Sequence, residues 1–528
     1  MIILQIRQLL CILGYICGIT LYCSNAFAFE RTNYYKIHSL LSEQTIFLAT
    51  PKTADEENDA DEYTEDFEEA DSDENDSFED EEPIESIDIE AITASSAKDS
   101  DFVISGFFKE DLAYTHASEY PDYSKIKSTL NLTLDWKLSE QWKFKGNWNG
   151  FYDYAYEREG REDFTNETLE AYESESEIRV FYLDGTLANQ LYLKTGRQII
   201  TWGESSTSQI TDMANPRYQR ELAMVDLEDA RLPVVATKLS ALFGTLDLSF
   251  AVVHEIRGNK NAVKGSEFDP YASIRAAGVT VREEEVPDST VKNSEFLFRA
   301  YKSLNGGDIS LILADTYDDS PYLDFYELSY SGSTASLTLT PKHKRIKTAG
   351  LTGNLVSGSW LFKSEIAKKW NKALARSDYA EQISTLISQC YLTCQEDSEA
   401  VKMWSNKNVI EGMIGLEYSG ISDFKIALEA AGDRIENYES NLSSKELSGM
   451  VTLIIDYSTW NDTLRVKLMA VRLSNDNGDV MRASFEYDII DALTVSAGVI
   501  YYEADNSDAL LIPYERNDKY YSSLKYSF

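Results

Sequence analysis

The chain has 528 residues and a formal net charge of −40, a balance that excludes nucleic-acid binding, because phosphate contacts need clustered positive charge. A soluble chain of this length reads as two or three domains of about 150–200 residues each. The alternative is one domain of many similar strands, and the texture of the sequence favours it.

Residues 1–28 read as a signal peptide. Arg7 supplies the charged start, Leu9 to Tyr22 the apolar run, and Ala26-Phe27-Ala28 a small-x-small cleavage site. The run falls short of the about 20 apolar residues that a membrane helix needs. A bulky Tyr22 before Cys23 argues against lipidation. No second long apolar stretch follows, so the exported chain is expected to carry no membrane helix.

Residues 29–100 are expected to form a periplasmic, largely disordered acidic segment. Asp55 to Glu90 contains no Lys or Arg and carries about half of the acidic excess. Such a run cannot bury enough apolar surface to offset its ordering entropy. Asp71, Asp73, Asn75, Ser77, Glu79 and Glu82 imitate calcium-loop spacing, but Asp76 stands where the turn needs Gly. The bland reading is a solvated polyanion. Weak, diffuse binding of calcium or of a basic periplasmic partner stays open.

From Phe102 to the end the chain breaks into short alternating runs. In Leu130 to Leu138, Leu130, Leu132, Leu134, Trp136 and Leu138 share one face, and Asn131, Thr133, Asp135 and Lys137 share the other, a period of two. Trp142, Phe144, Trp148 and Tyr152 next alternate with Lys143, Lys145, Asn147 and Asn149. Leu464, Val466 and Leu468 alternate with Arg465 and Lys467, and Met481, Phe485 and Tyr487 with Arg482 and Glu486. Runs of about 9–11 residues suit strands that cross a bilayer at a tilt. Short connections (Ser139–Gln141, Gly244-Thr245, Asn305–Asp308, Ser419–Ser422, Trp460–Asp462) are interleaved with long polar ones (157–175, 257–292, 372–406, 435–444), as in barrels with short periplasmic turns and long outer loops. The 33 Tyr and 8 Trp supply the interfacial girdle that such a wall needs.

The expected fold is therefore all-β: a transmembrane, antiparallel, up-and-down barrel over 101–528, of about 20 strands within a range of 16–20. Its N-terminus is expected in the periplasm of a Gram-negative envelope, with the barrel in the outer membrane. The last run, Tyr520 to Phe528, ends on an aromatic and resembles the C-terminal signal read by the barrel-assembly machinery. It is expected to close the seam against the first run near Phe102.

The most distinctive stretch runs Gly196-Arg-Gln-Ile-Ile-Thr-Trp-Gly-Glu-Ser205, then Ala214-Asn-Pro-Arg217, then Asp226 to Pro233. Together with His343-Lys-Arg-Ile346, Leu351, Gly358-Ser-Trp-Leu361 and Glu365-Ile-Ala367, it resembles the outer-membrane β-barrel family filed as domain of unknown function thirteen-oh-two (DUF1302). The resemblance spans about residues 102–528. It implies a porin-like barrel, sometimes linked with exporters of the resistance-nodulation-division (RND) type, and no particular substrate.

Residues 204–232 are too polar for a lipid-facing strand and too long for a tight turn. Loops of this length are usually functional or disordered, and this one is expected to fold into the lumen. Arg197, Trp202, Glu204, Arg217, Arg220 and Arg231 are its candidate constriction residues. Two readings stand for these charges: a field across the constriction, or pairs at the rim that hold the loop down. For Trp202, packing or girdle is the bland reading and a ligand-stacking ring the sharp one. Lys143, Lys145, Arg465, Lys467, Arg482 and Glu486 are candidate lumen charges, read either as a wet wall of mixed sign or as a selectivity pattern. Cys390 and Cys394 are expected to form a local disulfide in an oxidising compartment, and no metal ligands stand near them. Of four His, only His116 has a close Ser, Ser118, and nothing completes a triad. No enzyme and no cofactor is expected. The composite expectation is a channel for a small organic or amphipathic solute. The second reading is a non-conducting partner of a trans-envelope export or transport complex, recruited through the acidic tail.

Overall fold

A computed structural model describes residues 101–528 apart from 116–121, 223, 226–229, 332–333, 380–381, 383–401 and 508. The signal peptide, the acidic segment, His116 and the Cys390–Cys394 pair lie outside the described residues.

Eighteen strands form one closed antiparallel sheet. They are β1 (Phe102–Thr115), β2 (Tyr123–Ser139), β3 (Trp142–Asp153), β4 (Ser174–Ala188), β5 (Leu191–Gln198), β6 (Val234–Phe243), β7 (Leu246–Val253), β8 (Glu295–Leu304) and β9 (Gly307–Tyr317). The second half comprises β10 (Arg345–Ser357), β11 (Trp360–Ala375), β12 (Trp404–Ile421), β13 (Phe424–Ile435), β14 (Leu447–Thr459), β15 (Leu464–Leu473), β16 (Gly478–Ile490), β17 (Leu493–Glu503) and β18 (Lys519–Ser527). Each strand pairs with its neighbours in sequence, and β18 returns to β1 with Phe107 opposite Ser527. Phe528 completes the seam: Gly106 N–H donates to its carbonyl at 2.8 Å, and its own N–H donates to Gly106 O at 2.9 Å. The expected pairing of first and last runs is borne out.

The period-two pattern gives the wall its two faces. On β1, Phe102, Ile104, Phe108, Leu112 and Tyr114 are exposed, while Ser105, Ala113 and Thr115 between them are buried. On β2, Leu130, Leu132 and Trp136 are exposed and Asn131 is buried. An exterior that is apolar all round matches hydrocarbon rather than water. Aromatic pairs mark its borders, with Phe102–Trp136 and Trp360–Tyr418 near the short turns and Tyr114–Tyr123 near the long loops. Inside, the alternate residues find polar partners: Asn147 Nδ2 donates to Asn131 Oδ1 at 2.8 Å and to Thr133 Oγ1 at 2.7 Å.

Short turns join β2 to β3, β4 to β5 and so on, and long loops join the other ends. The turn after β14 runs through Trp460, Asn461 and Asp462 at φ of 58°, 54° and 60°; Asn and Asp tolerate this left-handed region best among residues with a side chain.

The wall count of 18 lies inside the expected range of 16–20, and two further long strands lie outside the wall. Residues Tyr322–Ser331 and Thr334–Lys342 alternate like wall strands but pair with each other, and Thr334–Lys342 pairs in parallel with Thr280–Val281. This hairpin belongs to the connection between β9 and β10, outside the 18-stranded sheet. Leu337 and Leu339 bury its inner face against Met403.

Candidate functional site

The connection between β5 and β6, residues 199–233, is built inward from a polar staple at its base. Gln198, fully buried, donates from Nε2 to Ala236 O at 2.9 Å. Asn215, also fully buried, accepts from Ile200 N–H at 2.8 Å and donates to Leu232 O at 2.7 Å. One side chain thus ties the residue that leaves β5 to the residue that approaches β6, and Pro216 after it leaves no backbone N–H to satisfy there. Ile200, Trp202, Met213 and Ala214 then pack on inward-facing Ala236, Ala251, Leu297, Ile312 and Ile346.

From that base the loop reaches strands five or more places away round the ring. Glu365 on β11 accepts from Glu204 N–H at 2.6 Å, Ser205 N–H at 2.5 Å and Thr211 N–H at 3.1 Å, and from the Thr211 hydroxyl at 2.6 Å. Glu429 on β13 accepts from Ser206 N–H at 3.1 Å and from the hydroxyls of Ser205 at 3.1 Å and Thr207 at 3.3 Å. Lys369 donates to Gln209 O at 3.1 Å, and Ile210 packs on Ala367 and Met413. Two buried carboxylates therefore organise the run Glu204 to Thr211 as oriented donors. Hydrogen bonds to a charged acceptor are worth about 1.5–3 kcal/mol each.

Behind this tip sits a buried ion cluster. Asp212 Oδ2 accepts from Arg231 Nε at 2.9 Å and from Arg217 Nη2 at 3.3 Å, and all three side chains are buried. Burial disfavours the Asp212 charge, but the two guanidiniums outweigh it and hold the carboxyl below its usual range. Burial pulls Arg217 down to about 10, against the attraction of Asp212. Arg217 and Arg231 also form a backbone bridge, so the cluster closes a loop within the loop.

The far part of the connection meets the rest of the wall. Arg220 donates to Ala171 O at 2.6 Å and to Glu175 on β4 at 3.2 Å. Glu221 pairs with Lys125 on β2 at 2.7 Å; burial opposes its charge, but Lys125 and Lys127 hold it down at about 2. Leu222 and Met224 pack against inward Ile454, Val471 and Ile500. A second connection, residues 254–294, is tied in at the same level: Lys260 pairs with Glu175 at 2.5 Å and Glu177 at 2.7 Å, and Lys519 pairs with Glu267. Between β9 and β10, His343 sets Nδ1 2.7 Å from Asp318 O and Nε2 2.8 Å from Glu284 Oε1. Two acceptors on one ring hold a doubly protonated imidazolium, and Glu284 raises the His343 pKa against its burial.

The family model described as "Protein of unknown function (DUF1302)" matches residues 118–520. The chain belongs to this family. Among solved structures it is similar to OccAB3 of Acinetobacter baumannii, at 10% identity over 81% of this chain and 99% of that one, TM-score 0.46. It is also similar to OpdK of Pseudomonas aeruginosa, solved with vanillate, at 10% identity over 81% and 98%, TM-score 0.44, and to OccK9 (OpdG) of the same organism, at 9% identity over 81% and 98%, TM-score 0.46. Comparison with curated proteins gives no match.

In this DUF1302 barrel the candidate residues fall into distinct places. Arg197 stands opposite Phe181, a residue of the exposed outer face, and its guanidinium is bound by Glu255 at 2.7 Å; it is a rim residue, outside the lumen. Trp202 is packed in the apolar cluster, away from the outer girdle. Glu204 lies within 3.4 Å of Asn354 Nδ2, and Arg217, Arg220 and Arg231 occupy the ion pairs above. Of the lumen charges, Lys145 lies 3.9 Å from Asp135, Arg465 binds Asp488 at 2.6 Å and Glu486 at 3.3 Å, and Lys467 lies 3.7 Å from Asp456. Arg482 donates to Tyr521 Oη at 2.9 Å, and Lys143 is exposed on the inward row opposite Asp184. Sequence reasoning missed Glu429 and Asp212 altogether. Glu365 entered only as part of a motif, because nothing local says that a wall carboxylate will meet a loop from across the ring.

Proposed function

We propose that this protein is a porin-like channel of the Gram-negative outer membrane, and that residues 204–232 fold into its lumen and set a constriction past which a small organic or amphipathic solute moves. The observation that carries this is the pair of carboxylates, Glu365 and Glu429, which bind the backbone of residues 204–211 from strands remote from β5 and β6. A loop tied to the opposite wall narrows the path of whatever crosses. The closed wall and apolar exterior supply the passage through lipid.

Planar-bilayer recording of the purified protein tests the reading. The wild type is expected to conduct. The double variant Glu365→Gln, Glu429→Gln keeps the shape of both side chains but loses the charged acceptors, a loss of about 1.5–3 kcal/mol per bond. It is expected to give a larger and noisier single-channel current. A silent wild-type protein would remove the channel, and an unchanged current in the double variant would remove the constriction.

A further inference from the structure

The outer face of the wall is uneven in charge. By the alternation that exposes Leu351, Ile366, Ile414 and Leu428, the outward rows of β10–β14 carry Arg345, Lys347, Lys368 and Arg434 and no acid. Elsewhere toward the long loops, outward cations are matched by acids: Arg197 by Glu255, and Arg472 by Asp479 and Asp505.

Height on the wall decides what the cations of β10–β13 meet. Lys347 stands ten residues from the short-turn end of β10 at Ser357, Trp370 ten from Trp360 on β11, and Arg434 ten from Phe424 on β13. Ten residues at about 3.3 Å each, tilted by about 40°, rise about 25 Å, which is the height of the apolar band of a transmembrane barrel. Lys347 and Arg434 therefore sit at the upper edge of the band, level with Trp370, and Lys368 one pleat below. Such barrels set their long loops outside, so this edge meets the outer leaflet. Lys347 stands opposite Trp370, Lys368 opposite Ile410, and Ile410 opposite Arg434. Lys347 and Arg434 are thus three strand spacings apart, about 14 Å.

Their protein partners leave donors over. Lys368 Nζ donates to Glu436 at 2.7 Å and Arg434 Nη2 to Glu446 at 3.3 Å. Both acids lie past the strand ends on the long-loop side, and the Arg434 side chain remains 67% exposed. Among the described residues no ion pair holds Lys347. Arg345, further out, is committed to Asp315 and to the carbonyls of Asn293 and Ser294. One step toward the short turns, Gly412, Gly432 and Gly449 stand opposite one another on β12, β13 and β14, leaving a shallow trough beside exposed Ile366 and Ile414.

We propose that this face binds a phosphorylated lipid of the outer leaflet. Lys347, Lys368 and Arg434 take the phosphate oxygens, and the acyl chains descend over the glycine trough. The 14 Å spread of the cations suits two phosphates on one headgroup. Lysine and arginine at this edge keep their stems in the apolar band and their charge at its border, where an anionic headgroup lies. The inference rests on the wall alone and stands whether or not the protein conducts.

The test titrates full-length protein in detergent with diphosphoryl lipid A, monophosphoryl lipid A and phosphatidylethanolamine, and reads bound lipid by native mass spectrometry. The diphosphoryl form is expected to bind about fivefold or more tighter than the monophosphoryl form, and phosphatidylethanolamine weakest. The triple variant Lys347→Gln, Lys368→Gln, Arg434→Gln is expected to bind about a hundredfold more weakly, from about fivefold for each cation near an anionic lipid, with the heat-stable folded band unchanged. The control Arg197→Gln, Arg472→Gln is expected to match the wild type. If the triple variant loses its folded band, Lys347→Gln alone still decides through its fivefold share. Gly412→Leu, whose Cβ meets nothing nearer than Glu365 O at 3.5 Å, is expected to weaken binding by filling the trough. Equal retention of the three lipids, or wild-type affinity in the triple variant, would overturn the proposal. So would a protein dimer, rather than bound lipid, that disappears in the triple variant, since the face would then belong to a second copy.

Discussion

At the scale of single residues, the interior is held by charges that are worth most where they are least exposed. Asp212 is shared by Arg217 and Arg231, all buried. Asp212→Asn keeps the shape and one acceptor but removes the charge that both guanidiniums share, and breaking a buried ion cluster from one side costs about 3–5 kcal/mol. Chemical denaturation of the variant is expected to show that loss; a change under about 0.5 kcal/mol, the size typical of surface substitutions, would mean the cluster is not structural. His343 makes a different kind of contribution. Its raised pKa means that its bonds to Glu284 and Asp318 O stabilise fully below the unfolded value of about 6.5, and that this stability is lost as the pH climbs through the higher folded value. Protease cleavage within residues 254–294 is therefore expected to quicken as the pH rises through that window, and His343→Gln to flatten the response. Cleavage that slows with rising pH would contradict this. Gly258 shows how tight the pocket is: a Cβ there would stand 2.6 Å from His343 Cε1 and 2.8 Å from Glu284 Oε1.

At the scale of elements, the hairpin Tyr322–Lys342 imitates the wall without joining it. Its alternation answers to a small apolar core around Leu337, Leu339 and Met403; its outer bonds go mainly to residues 280–285 of the neighbouring connection, with Trp404 Nε1 on β12 donating to Asp324 at 3.1 Å. Replacing 322–342 by a short flexible linker is expected to leave the barrel folded, seen as the same heat-stable band on gels, because the hairpin pairs with no strand of the 18-stranded sheet. Failure of the barrel to close would show that the hairpin serves the wall. The same element shows what was legible beforehand. Alternation names strands and faces correctly, as in Leu130 to Leu138, because a wall strand buries one row whatever its neighbours are. It does not say which strand lies next, so it cannot separate a wall strand from a strand of a connection such as Tyr322–Ser331. The loop 204–232 was legible as exceptional from its polarity and length, while Glu365 and Glu429 were not, since their partners lie up to 224 residues away in sequence; Asp212 was missed although its partners Arg217 and Arg231 lie in the same loop.

At the scale of the whole molecule, one ring of strands does two jobs that are usually separate. Its outer rows satisfy lipid, and its inner rows supply the anchors for connections that cross the interior. Arg197 and Trp202, neighbours in one motif, end up on opposite sides of this division, one bound at the rim by Glu255 and one packed inside. A motif in such a wall is therefore a set of positions with alternating addresses rather than a single site.

The seam between Gly106 and Phe528 carries a consequence for how the protein behaves among other chains. A sheet that returns to its own first strand exposes no row of unpaired amides, so the wall cannot template the addition of a foreign strand. Among the described residues the hairpin strand Tyr322–Ser331 is bonded on one flank only, and its Tyr326 ring is capped by Arg282 at 3.8 Å. Cross-strand aggregation of the folded molecule thus finds its longest open edge, among the described residues, at this hairpin strand, and a bulky cation already stands there.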